Sequence, residues 1–310
     1  MELRKWTLCL LALAGAACGG RNAGERAAAG TYTAAAVFLP EIPPARLDAQ
    51  QRRDFLRYHY WDRFDFADTL FIARVDTLHM LEAFAAYVGV LSDRPTDRAP
   101  MDSLMRRAAA SRPMLEYFAM LAERVLADPN SPLRNDELRI PVLETLVASP
   151  FLDEYEKIAP AYDLHLAGQN RIGRRANDFR YTLASGASGR LYGLDAEYVL
   201  LFINNPGCPM CKQLREEICG SPMLAEMIER GRLKVLAIYP DEDLTEWEAY
   251  RSRIPDTWIN AYDRGCVIRE RELYDLKAIP ALYLLDRDKR VLVKDSTDVP
   301  QIEEAIDRAG

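Results

Sequence analysis

The sequence feature that most constrains the fold is a pair of cysteines, Cys208 and Cys211, placed between an apolar run and a helix-like stretch. The apolar run 198–203 predicts a buried strand, and residues 212–218 predict a helix. A strand that delivers two cysteines to a helix N-terminus places the first at the positive end of the helix dipole, where a thiolate is favoured over a thiol. The pair is therefore a candidate for redox chemistry.

The first residues predict an export signal. Arg4 and Lys5 precede an apolar segment, 6–14, which is too short to span a bilayer but suits the hydrophobic region of a secretory signal. The small residues before Cys18 resemble a lipoprotein processing site, so we predict a signal over residues 1–18 and lipidation of Cys18. Ordinary cleavage, with Cys18 removed or left free, is the alternative. No second apolar run of spanning length follows, so a lipid anchor is the expected membrane attachment.

The remaining cysteines are concentrated in the last third of the sequence. No cysteine lies between Cys18 and Cys208, whereas a disulfide framework in an exported protein would scatter them along the chain. The distribution therefore indicates a localised thiol function. Beyond the pair lie Cys219 and Cys266, which could form a structural disulfide or remain two separately buried thiols.

The residues before the cysteine pair divide into a linker and a helical region. Small, polar and proline-rich residues over 19–46 predict a flexible tether, and residues 47–172 predict an all-α domain. Its aromatic run, 60–66, could bind a partner, although core packing is the commoner role of such residues. The formal net charge of −7 argues against nucleic acid as a partner, because phosphate binding needs clustered Lys and Arg.

After residue 177 the pattern changes to short apolar runs that alternate with helical stretches. A hairpin is predicted from 179–183 and 191–194, with a Gly- and Ser-rich turn between them. The later elements are strands at 198–203, 233–239, 258–262, 281–286 and 291–294, and helices at 209–230, 243–253, 268–275 and 299–309. This alternation predicts an α/β domain over 173–310, a central mixed sheet flanked by helices.

Residues 173–310 resemble the thioredoxin-fold domain of TlpA-like thiol-disulfide oxidoreductases. The resemblance rests on Asn177-Asp-Phe179, on Cys208-Pro-Met-Cys211, and on the run 274–286, which contains Ile279-Pro280 ahead of an apolar strand. The region 47–172 is similar to the uncharacterised helical module that precedes such domains in some envelope lipoproteins.

The resemblance implies roles for individual residues. Cys208 would attack a partner disulfide and Cys211 would resolve the mixed disulfide, with no cofactor beyond the redox-active disulfide between them. Pro280 would follow a cis peptide in a substrate-docking loop, and the substrate would contact Pro209, Met210 and Ile279; a trans proline at a strand edge is the alternative. We predict no bound metal. The alternative is a zinc site in which Cys219 and Cys266 supply the two further ligands.

Two positions depart from the family pattern. Relatives often carry a buried acid where this chain has Phe202 or Leu214, so deprotonation of Cys211 is expected to use water or Glu217.

The acidic stretch 241–243 is predicted to cap a helix rather than to take part in chemistry.

These observations predict a membrane-anchored lipoprotein in the periplasm or cell-envelope space. It would exchange thiols and disulfides with envelope proteins, favouring reduction or isomerisation, and would depend on an upstream electron donor. The alternative is a binding or scaffold protein whose helical module recognises an envelope partner, with a dithiol that is secondary or binds metal.

Overall fold

The structure is a computed structural model that describes residues 36–309, which form part of one compact unit. The predicted signal and Cys18 lie outside the described residues. The helices of the first half are Ala49–His59 (α1), Thr69–Ile72 (α2), Thr77–Leu91 (α3), Ala99–Ala108 (α4), Arg112–Ala122 (α5), Asp136–Ala148 (α6) and Ile158–Ala167 (α7). Within residues 36–309, every helix is too short or too polar to cross a bilayer.

Side-chain caps set where these helices begin. The Asp48 side chain accepts a hydrogen bond from the backbone N–H of Gln51, and the Gln51 side-chain oxygen accepts one from the backbone N–H of Asp48, which makes a capping box for α1. Asp76 caps α3 by accepting from the N–H of His79, and Asn135 caps α6 by accepting from the N–H of Leu138. Each cap satisfies a backbone N–H that has no partner inside its helix.

Buried aromatic rings form the core of the helical region. Trp61 stacks on Phe38 with ring centroids 4.7 Å apart and meets Phe118 edge-on at 5.2 Å. The aromatic run 60–66 therefore supplies core residues, as its pattern favoured. Its buried rings contribute both apolar area and ring-to-ring attraction.

The tether predicted over 19–46 is wrong for its described part. Phe38 is only 3% exposed, and Glu41 pairs with Arg63 from the helical region. Burial of the Phe38 ring offsets part of the conformational entropy that this stretch loses on ordering. Residues 36–46 therefore pack as part of the helical region.

The second half contains one seven-stranded mixed sheet. Its strands are Arg180–Leu183 (β1), Ser188–Arg190 (β2), Tyr198–Ile203 (β3), Leu233–Tyr239 (β4), Ile259–Tyr262 (β5), Ala281–Asp286 (β6) and Val291–Ser296 (β7), in the order β2-β1-β5-β4-β3-β6-β7. Strands β3, β4 and β5 are parallel, and the other pairings are antiparallel. The hairpin strand predicted at 191–194 is wrong: a 3₁₀ turn occupies Leu191–Gly193, and the second strand of the hairpin is β2, within the predicted turn.

Helices cover both faces of this sheet. They are Pro209–Gly220 (α8), Pro222–Glu229 (α9), Leu244–Tyr250 (α10), Val267–Glu270 (α11) and Val299–Ala309 (α12). Helices α8, α9 and α12 pack on one face, through residues such as Leu214 and Ile302. The opposite face is covered by Phe179 and by Ile268 of α11. Strand β3 is buried along its whole length, which explains its uninterrupted apolar sequence.

The helical region is joined to the sheet by buried polar contacts along β7. The Lys294 ammonium donates to the carbonyls of Ala167 and Gln169, each at 2.7 Å. Beside it, Arg134 forms an ion pair with Asp295. Burial raises the pKa of the Asp295 carboxyl to about 7, and the neighbouring Arg134 acts in the opposite direction.

A second set of contacts fixes α7 beside the loop that precedes β6. Asp163 of α7 pairs with both Arg139 and Lys277, and Lys277 belongs to that loop. The Asn170 side chain donates to the carbonyl of Leu273 at 2.7 Å. The helical region is thus held against the part of the sheet domain that carries Pro280.

We expect Phe38→Ala to lower the free energy of unfolding by roughly 3–5 kcal/mol, because it removes a buried ring stacked on Trp61. Leu39→Ala is the matched control, since Leu39 is 62% exposed and its loss should change stability by about 0.5 kcal/mol or less. Urea denaturation followed by circular dichroism measures both. Equal, small effects would show that residues 36–46 are a tether after all.

Candidate active site

The cysteine pair lies at the junction of β3 and α8. Strand β3 ends at Ile203, and a turn that contains Gly207 at φ +76° leads to Cys208, the N-cap residue of α8. Gly207 adopts a left-handed conformation that costs glycine little. Pro209 takes the first helical position, where its missing N–H would have had no partner inside the helix.

Cys208 is the accessible member of the pair. Its Sγ accepts a hydrogen bond from the backbone N–H of Cys211 at 3.2 Å, as an N-cap side chain does. On its other side the Cys208 thiol lies 3.7 Å from the carbonyl oxygen of Ile279, to which it can donate. The helix N-terminus would stabilise negative charge on this sulfur.

Cys211 lies beneath Cys208 and is only 1% exposed. Burial raises the pKa of the Cys211 thiol to about 12, and the hydrogen bond with Cys208 acts in the same direction. The backbone N–H of Asn205, 3.4 Å from its sulfur, acts in the opposite direction. Cys211 is therefore a protonated, shielded thiol at neutral pH.

Strand pairing brings the proline loop to the cysteines. Ile203, the last residue of β3, pairs with Ala281, the first residue of β6, so the residues just before β6 lie beside the start of α8. The Ile279–Pro280 peptide is cis, as the resemblance implied. Met210, Ile279 and Pro280 line one cleft, whereas Pro209 is exposed at the helix start outside that lining.

The proposed route for deprotonating Cys211 through Glu217 is wrong. Glu217 is exposed and accepts a hydrogen bond from Gln213. It lies six positions after Cys211 on the same helix, which turns its side chain away from the sheet. Phe202 and Leu214 are buried and apolar, as expected from their identities.

Asn205 is the polar residue that the sequence reasoning missed. Besides its N–H contact with Cys211, its side-chain amide donates to Asp241 at 3.0 Å. The remaining side-chain oxygen of Asn205 is buried without a hydrogen-bond partner among the described residues. The polar pair Asn204-Asn205, which follows a buried strand and precedes the cysteines, is the signal that could have identified it.

Of the two alternatives for Cys219 and Cys266, the structural disulfide is absent, and of the two thiols only Cys266 is buried. Cys219 is exposed on α8, whereas Cys266 is buried next to α11, and both are free thiols. Ile218 packs on one face of the sheet and Ile268 on the other, so the sheet separates the two thiols. The same separation prevents the two from joining Cys208 and Cys211 in a four-cysteine metal site. Residues 36–309 contain no group of three or more His, Cys, Asp or Glu suited to hold a metal ion.

The acidic stretch 241–243 has structural contacts, as predicted. The Asp243 side chain caps α10 by accepting from the N–H groups of Thr245 and Glu246. Asp241 accepts from Asn205 and pairs with Arg269. This stretch supports the turn after β3.

Comparisons with known proteins were consistent with a helical module followed by a thiol-bearing sheet domain. A family model described as a domain of unknown function, DUF5106, matches residues 18–170. A crystal structure of a thioredoxin-like protein from Bacteroides caccae is 44% identical, with a TM-score of 0.80, and the match covers 87% of this chain and 98% of that chain.

A second solved structure matches a smaller share of this chain. The C-terminal domain of an uncharacterized protein from Bacteroides fragilis is 49% identical, with a TM-score of 0.43, over 44% of this chain and 96% of that chain. No curated protein matches this chain.

We expect an alkylating agent to modify Cys208 before Cys211 in the reduced protein. Cys211 is buried and its raised pKa keeps the thiol protonated at neutral pH, so it should react at least about tenfold more slowly. Iodoacetamide labelling followed by peptide mass spectrometry measures both rates. In Cys208→Ser, labelling of Cys211 should stay slow near neutrality and rise with pH. Faster labelling of Cys211 than of Cys208 would reverse the two roles.

Proposed function

Since this chain belongs to the thioredoxin-like family, we propose that it exchanges thiols and disulfides with other proteins through Cys208 and Cys211. The observation that supports this most directly is the unequal burial of the two sulfurs. One is accessible at a helix N-terminus, and the other is enclosed one turn further along. A nucleophile and a protected resolving thiol need this arrangement.

In the first step, the Cys208 thiolate attacks one sulfur of a substrate disulfide. The substrate S–S bond breaks, a Cys208–substrate disulfide forms, and the second substrate sulfur leaves as a thiolate that takes a proton from solvent. The N-terminus of α8 and the N–H of Cys211 stabilise the attacking charge.

In the second step, Cys211 attacks Cys208. The Cys211 thiol loses its proton to the departing substrate sulfur, and the Cys208–Cys211 disulfide forms as the bond to the substrate breaks. The N–H of Asn205 stabilises the transient Cys211 thiolate. The substrate gains two electrons and two protons in total, and the enzyme becomes oxidised.

The cycle closes when an upstream dithiol protein reduces the Cys208–Cys211 disulfide by the same two exchanges. Net reduction or isomerisation of substrate disulfides is the direction we favour. Pro280 and Ile279 would hold the substrate backbone beside Cys208, and Pro209 and Met210 would contact the residues around its cysteine. The reaction needs no cofactor beyond the cysteine pair.

We further propose that the protein works outside the cytoplasm, held to a membrane by lipid on Cys18. The apolar segment 6–14 and the small residues before Cys18 support this. Its partners would then be proteins of the periplasm or cell envelope, where disulfides persist. The net charge of −7 supports protein rather than nucleic-acid partners.

Cys208→Ser should reduce the rate of insulin disulfide reduction to that of the small-molecule reductant alone, because the variant lacks the attacking sulfur. Cys219→Ser is the matched control: it removes an exposed thiol from the same helix and should retain the wild-type rate. Cys211→Ser should instead accumulate mixed disulfides on Cys208. Equal turnover by the wild type and Cys208→Ser would favour the scaffold alternative.

Cys18→Ala should convert a membrane-associated protein into a released, exported one, since it removes the proposed lipid attachment. Cell fractionation with a salt wash measures the distribution. If the variant still sediments with membranes after the wash, the anchor is elsewhere and the lipidation proposal fails.

A further inference from the structure

The helical module forms one wall of a cleft beside the 278–280 loop, whose Ile279 carbonyl lies 3.7 Å from the Cys208 sulfur. This cleft has a volume of 610 Å³, which is within the usual range of ligand sites in proteins. Three parts of the chain line it: residues 129–132 and Arg134 of the helical module, Met210 with the 278–280 loop, and residues from 294 to 304, which run from β7 into α12. The space beside the 278–280 loop is therefore shaped by both the helical module and the sheet domain.

The wall contributed by the helical module is firmly held. The Ser131 hydroxyl donates to the carbonyl of Val125 at 2.6 Å, and the N–H of Asn130 donates to the Asp128 side chain at 2.9 Å. Just beyond the loop, Arg134 forms its ion pair with Asp295 of β7. These contacts tie the loop to its own helix and to the sheet, so the wall has a defined position.

The charges that remain free in the cleft are negative. Both cations of its lining are paired, Arg134 with Asp295 and Lys294 with Asp136. The carboxylates of Asp298 and Glu304 are exposed, and neither has a cationic partner within 4.0 Å in the part of the chain that the structure describes.

The N-terminus of α12 stabilises the negative charge of only one of these two carboxylates. Asp298 directly precedes α12, where negative charge is favoured by the helix dipole. Glu304 lies in the second turn of α12, beyond the range of that effect. A cationic side chain in the cleft would be attracted to both carboxylates.

We propose that this cleft binds an extended polypeptide that carries a basic residue next to its reacting cysteine, with the helical module as one wall. The inference rests on the proposed function and names its substrate class. An extended segment would place its cysteine at Cys208 and run along the 278–280 loop. Its basic side chain would reach Asp298 and Glu304, and its opposite edge would lie against residues 129–132.

The test compares two peptides that differ only in the residues flanking one cysteine, which are lysine in one and glutamate in the other. Each peptide is activated as a mixed disulfide with 2-nitro-5-thiobenzoate. In the Cys211→Ser protein, Cys208 attacks the peptide sulfur, its bond to the thiobenzoate breaks, and the coloured thiolate is released. Mass spectrometry confirms that the peptide is attached to Cys208.

We expect the lysine peptide to react about tenfold faster than the glutamate peptide at low salt. One exposed ion pair contributes little binding free energy. The lysine peptide, however, makes two attractive contacts with the carboxylates where the glutamate peptide makes two repulsive ones, and the difference should produce a rate ratio of this order. The double substitution Asp298→Asn/Glu304→Gln should bring the ratio close to one. Using the ratio within each variant cancels any change in the reactivity of Cys208 itself.

Two further variants locate the effect. Glu229→Gln/Asp256→Asn removes two exposed carboxylates near the opposite end of the sheet and should keep the wild-type ratio. Asn130→Lys places a positive charge on the helical module's side of the cleft and should lower the preference for the lysine peptide at least about threefold. An unchanged ratio in Asn130→Lys would show that the module does not line the bound peptide.

The outcomes separate this inference from the proposed function. If both peptides react with Cys208 at equal rates, the cleft does not select basic segments, while thiol-disulfide exchange stands. If Cys208 reacts neither with the peptides nor with Ellman's reagent, a small disulfide, the proposed function itself fails.

Discussion

The site depends on the antiparallel pairing of β3 with β6. Because Ile203 pairs with Ala281, the end of one buried strand meets the start of the next. The turn after β3 leads into α8 and presents Cys208, while the residues before β6 present the carbonyl of Ile279 to the same sulfur. Strand β3 is buried along its whole length, so both ends of this junction are anchored in the core of the sheet domain.

Burial then makes the two cysteines chemically different. Cys208 caps α8 and remains accessible, whereas Cys211, one turn later, is enclosed by the core and keeps its proton at neutral pH. The helical module adds a second asymmetry, because its 129–132 loop closes only one side of the adjoining cleft. Ion pairs between distant parts of the chain, such as Arg134 with Asp295, hold the module in that position. The reactive sulfur and the surface that would select its partner thus belong to one compact unit.

The sequence was sufficient to predict those elements whose burial requires a continuous run of apolar residues. The uninterrupted apolar runs of β3, β4 and β6 predicted those strands with their observed bounds, and the cysteine spacing predicted which side chains share the site. Packing between distant segments leaves no such pattern. The burial of Phe38, the ion pair of Asp295 with Arg134 and the Asn205 contact all depend on residues brought together by the fold. The unpaired state of Cys219 and Cys266 depends on which face of the sheet each occupies, which composition does not specify.

A redox equilibrium measured on the protein itself tests most directly whether Cys208 and Cys211 form the redox-active pair. The protein is equilibrated in a series of oxidised and reduced dithiothreitol mixtures, its thiols are trapped by alkylation, and its disulfides are mapped by mass spectrometry. We expect one two-electron transition, with a disulfide between Cys208 and Cys211, while Cys219 and Cys266 remain alkylated as free thiols. A disulfide that includes Cys219 or Cys266, or a cysteine pair that stays reduced throughout the series, would contradict this expectation.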